Sequence, residues 1–67
     1  MKIILRHNTT GLYFRDLGSW TANPHEAREF DSTLAALQFC SEHQLPATKV
    51  MLKFEDPRYD TAVADCA

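Results

Sequence analysis

Hydrophobic and polar positions alternate from the start of the chain. Over Lys2–His7, Ile3 and Leu5 fall on one side and Lys2, Ile4 and Arg6 on the other, which predicts a strand with one clearly apolar face. The stretch "NTTG" follows, with Asn8 able to bond its own backbone and Gly11 free to take positive φ, so a turn is expected there. Alternation resumes over residues 12–17. The two strands make an antiparallel hairpin in which Leu12 and Phe14 share the face of Ile3 and Leu5, while Tyr13 and Arg15 point the other way.

After Trp20 the pattern breaks. Asn23 suits an N-cap and Pro24 the first helical position, so residues 25–29 read as a turn or two of helix anchored by Phe30. Asp31 or Ser32 starts a second helix, "TLAALQFCSEHQ", on which Leu34, Ala36, Leu37 and Cys40 fall on one arc and Gln38 and Glu42 opposite, before Leu45 and Pro46 end it. The stretch "ATKVMLKFED" is the last strand, with Val50, Leu52 and Phe54 on one face and Lys49, Met51 and Lys53 on the other. Residues 55–67 hold Pro57, four acids and few large apolar groups, so they read as a tail that packs loosely or not at all. The expected fold is α+β: a small three-stranded antiparallel sheet with a short and a long helix on one face (ββ-α-α-β), as one domain over residues 1–54 with an acidic tail over 55–67.

Composition narrows this further. Sixty-seven residues allow one domain, and one of this size buries only roughly 60% of its unfolded surface. Apolar runs such as residues 3–5 and 34–37 are far short of a membrane span or a signal peptide's apolar region, so a cytoplasmic address is expected. Without a secretion signal, Cys40 and Cys66 are expected to be free thiols.

The run "TGLYFRDLGSWTANPHEAREFDSTLAALQFCSEHQL" resembles a family of small uncharacterised bacterial and phage-associated proteins with an aromatic strand, a Trp-Thr, an Ala-x-x-Phe and an alanine-bearing helix. The match covers about half the chain, and the positions that carry it are Tyr13, Trp20, Thr21, Ala27, Phe30, Ser32, Ala36 and Phe39. The resemblance implies a compact ββαβ fold and no particular activity. It departs at Gln44, where such helices tend to end in glycine.

Candidate chemistry is sparse. Cys40 and His43 share a helix face at a spacing metal sites use, but His7, His25 and Cys66 supply no second paired motif, so neither a metal nor another cofactor is expected. As a nucleophile Cys40 needs a base and a carboxylate in a cleft, which so small a domain hardly offers, and the chain reads as a non-enzyme. Trp20 and Phe30 are expected in the core and Phe39 at its edge.

Charge is divided unevenly. The sheet face away from the helices carries Lys2, Arg6, Arg15, Lys49 and Lys53, five of the seven basic residues, together with Ile4, Tyr13 and Met51. The expected binding site is therefore Arg6, Tyr13, Arg15, Lys49, Met51 and Lys53. It suits a protein-interaction module docking on a protein partner or a second copy; a small phage-type inhibitor of a host protein is one version. The alternative is a single-stranded nucleic-acid binder stacking bases on Tyr13, against which stand the lone tyrosine and the net charge of −2. The acidic tail is expected to lie across Tyr13 and Met51 as a weak gate.

Overall fold

The computed structural model describes residues 1–45 and 47–66. Along the chain come β1 (Lys2–His7), β2 (Tyr13–Asp16), β3 (Ser19–Thr21), a 3-10 turn (Pro24–Glu26), α1 (Thr33–Glu42), β4 (Thr48–Lys53), a second 3-10 turn (Pro57–Tyr59) and β5 (Thr61–Cys66). All strand pairs are antiparallel and the sheet order is β3-β2-β1-β4-β5.

Among the described residues the molecule is thus predominantly sheet, with five strands and one α-helix, which corrects the expected three strands and two helices. The first extra strand, β3, arises because Leu17 and Gly18 turn the chain back on itself, with Gly18 at φ 79°, and Phe14 pairs with Trp20. The second extra strand is β5. It pairs with β4 along Thr48↔Cys66, Lys49↔Asp65, Val50↔Ala64, Met51↔Ala62 and Leu52↔Thr61, so the second half of the presumed tail contains an edge strand on the far side of β4. It does not cross Tyr13, and Tyr59 is exposed.

Helix starts follow the sequence. The Asn23 side chain accepts from the His25 N–H with Pro24 next in line, and the Ser32 hydroxyl accepts from the Ala35 N–H. The two segments do not share a face, however. α1 buries Ala36 and Cys40 against Leu5, Phe14, Phe30 and Val50, whereas Ala27, just after the first 3-10 turn, packs with Ile4 and Met51 on the opposite side of the sheet. The chain changes sides through a gap where β2 leaves β1: the Arg28 N–H donates to the Phe14 carbonyl (2.9 Å) and the Phe30 N–H to the Ile3 carbonyl (2.8 Å). These bonds satisfy main-chain groups that the splayed strands would otherwise leave unpaired.

The inner core is aromatic. Phe14, Phe39, Phe30 and Trp20 form a chain of tilted and edge-on contacts at 5.3–5.6 Å, with Trp20 and Phe39 half-buried against the cluster. Leu34, expected on the buried arc, is 64% exposed, because Ala36, Leu37 and Cys40 set the face that meets the sheet.

Cys40 and Cys66 are joined in a disulfide, correcting the expectation of free thiols. The expectation of thiols rests on compartment alone and takes no account of geometry; with β5 docked on β4, the two Cα atoms stand 6.0 Å apart, within the normal bridging range.

Candidate functional site

The outer sheet face is built in rows by strand register. Tyr13 pairs with both Arg6 and Thr21, Arg6 pairs with Lys49, and Lys49 with Asp65, so Thr21, Tyr13, Arg6, Lys49 and Asp65 form one row across all five strands. Neighbouring strands are about 4.8 Å apart, which places Tyr13 and Lys49 roughly 10 Å from each other with Arg6 between them. The Arg6 guanidinium lies 5.8 Å from the Tyr13 ring centroid and its Nε donates to the Gly11 carbonyl, so the side chain is held rather than free.

The next row, Ile4 and Met51, is buried. Ile4 is fully covered and Met51 is 8% exposed, both beneath Ala27. Alternation assigned these two to an open surface; it records which side of a sheet a residue occupies, and the crossing segment covers that side here. Met51 is therefore a core residue and not an anchor on the surface.

Beyond it, Lys2 stands opposite Lys53. Two like charges at facing positions repel, and the Lys53 ammonium is drawn instead to Asp60, 2.8 Å away, while also donating to the Phe54 carbonyl. Asp60 further accepts the Phe54 N–H at 3.0 Å. Bonding to Lys53 first, and to Phe54 next, holds the Asp60 carboxyl below its ordinary value. Lys2 and Lys53 line a cleft of about 440 Å³ with Met1, Pro24, His25, Phe54 and Glu55.

Arg15 is exposed and sits at the irregularity between Phe14 and Asp16, past the point where β2 parts from β1. The six expected site residues are thus separated. Arg6, Tyr13 and Lys49 come together, Arg15 stands at the rim, Met51 is buried, and Lys53 is tied to Asp60 on the far side of Ala27. The expectation that five bases share one continuous face overlooked the crossing segment, for which the break after Trp20 was the only sequence sign.

The opposite surface carries Arg28 over the Phe39 ring (4.7 Å) and the Phe30 ring (5.5 Å), in a shallow groove whose acids are Glu29, Asp31 and Glu42. Cys40 is bonded to Cys66 and is neither a thiolate nor a ligand, and among the described residues no group of three His, Cys, Asp or Glu side chains gathers to hold a metal ion. No described helix is long and apolar enough to cross a membrane. No protein-family model, no curated protein and no solved structure matches the chain.

Proposed function

We propose that the chain is a small protein-interaction module whose docking surface is the row Tyr13, Arg6 and Lys49 with Arg15 at its rim, and that it takes an acidic segment of a protein partner. The observation that supports it is Arg6 over Tyr13 beside Lys49, with no carboxylate in ion-pair reach of either cation among the described residues. An arginine prepositioned on a tyrosine loses little side-chain freedom on binding, and tyrosine and arginine are the residues that most often anchor interfaces.

The test is an amide-resolved titration with an oligoglutamate peptide bearing one tryptophan. Shifts are expected at Arg6, Tyr13 and Lys49, with Arg6→Gln weakening binding about three- to tenfold and Asp65→Asn, which removes the only acid of the row, strengthening it about twofold. A peptide that shifts none of these amides, or a single-stranded oligonucleotide that shifts them at lower concentration, overturns the proposal.

A further inference from the structure

β5 is an edge strand with little side-chain anchorage in the core. Of its side chains only those of Ala64 and Cys66 reach the core, while Thr61, Ala62, Val63 and Asp65 are exposed. It pairs only with β4, and that ladder is interrupted between Val50 and Met51, where β5 carries one extra residue. Burying an alanine and a half-exposed cysteine contributes far less than burying residues such as Leu5 or Phe14. Besides its main-chain ladder to β4, the strand is tied by the bond from Cys66 to Cys40 on α1, closing a loop across a sequence separation of 26.

We propose that the Cys40–Cys66 bond is a redox latch on β5: broken, it releases residues 61–66 from the sheet while the rest of the fold persists, and it uncovers the edge of β4. The step is ordinary thiol–disulfide exchange. One thiolate of a dithiol attacks the Cys66 sulfur, the half-buried end of the bridge, and Cys40 leaves as a thiolate that takes up a proton. The second thiol of the reagent then displaces Cys66, so that two cysteine thiols form as the dithiol becomes a disulfide.

The remaining core does not depend on β5. Leu5, Phe14, Phe30, Ala36 and Val50 are supplied by β1, β2, the crossing segment, α1 and β4. Release uncovers the β5-facing edge of Lys49–Leu52, whose main-chain donors and acceptors on that side are in the form in which a sheet accepts an extended strand. A reducing cytoplasm favours the open form and an oxidising compartment the closed one.

Hydrogen exchange on the intact chain, oxidised and after full reduction by dithiothreitol, tests the latch, with thiol titration to confirm that both cysteines are free. Reduction is expected to raise exchange of the protected amides of residues 61–66 roughly a hundredfold, the scale set by loss of a cross-link closing a loop of this length, and to change β1 and α1 amides only a fewfold. The Cys40→Ala/Cys66→Ser double variant is expected to match the reduced protein without reductant. Unchanged protection in residues 61–66 after complete reduction overturns the proposal, as does a loss of protection that spreads equally through β1 and α1.

Discussion

Gln44 shows how one residue can carry a position that another suits better. α1 ends with the Leu45 N–H donating to the Cys40 carbonyl (3.1 Å) and the Gln44 N–H to the Ser41 carbonyl (3.3 Å), a pattern that requires the residue making the second bond to adopt the left-handed region. Gln44 does so at φ 50°, where a Cβ crowds the backbone. Gln44→Gly is therefore expected to stabilise the protein by about 0.5–1 kcal/mol, less whatever glycine adds to the freedom of the unfolded chain. Thermal unfolding of the two proteins measures it; a lower midpoint for the glycine variant shows that the gain in the unfolded state dominates. The helix caps were legible in the sequence because they are short-range: Asn23, Pro24 and Ser32 bond within a few residues of themselves. The exit at Gln44 was half legible, since a stop was evident but a left-handed glutamine carries no mark of its own.

Among the elements, β1, β4 and α1 were read correctly as elements because their apolar spacing persists over six to ten residues. β5 was not, for a physical reason: its side chains are small, and the extra residue opposite Val50 and Met51 breaks the alternation that identifies a strand. β3 is only three residues long, and the reversal at Leu17 and Gly18 that creates it was not read from the sequence. Which side of the sheet the segment after Trp20 occupies depends on the gap between β1 and β2, and no local pattern encodes a gap. The candidate surface suffered accordingly: strand period places Arg6, Tyr13 and Lys49 in one row, while a covering segment buries Met51 and a counter-ion holds Lys53.

That counter-ion, Asp60, makes the approach to β5 sensitive to acid. Its carboxyl is held below the ordinary value of 3.8 by Lys53 and the Phe54 N–H, so its contribution is complete above that value and is lost as pH falls through the lower, folded-state value. Asp60→Asn is expected to lower the melting midpoint slightly at neutral pH and to flatten its fall on acidification below about pH 4. Equal acid dependence in both proteins removes Asp60 from the account.

For the whole molecule, the place of β1 matters most. It is the middle strand, between β2 and β4, and its partner β4 begins only at Thr48. On a ribosome, then, Ile3, Ile4 and Leu5 emerge well before the strand that shields them, and Phe14 before the helix that covers it. A fragment of residues 1–45 is expected to show no cooperative thermal transition and to scatter light at concentrations where the intact chain stays clear; a cooperative melt shows instead that β1, β2, β3 and α1 suffice. Putting the earliest strand at the centre makes folding a late event in synthesis, so a pause in translation ahead of β4 prolongs the interval in which a chaperone or an aggregate can claim the chain.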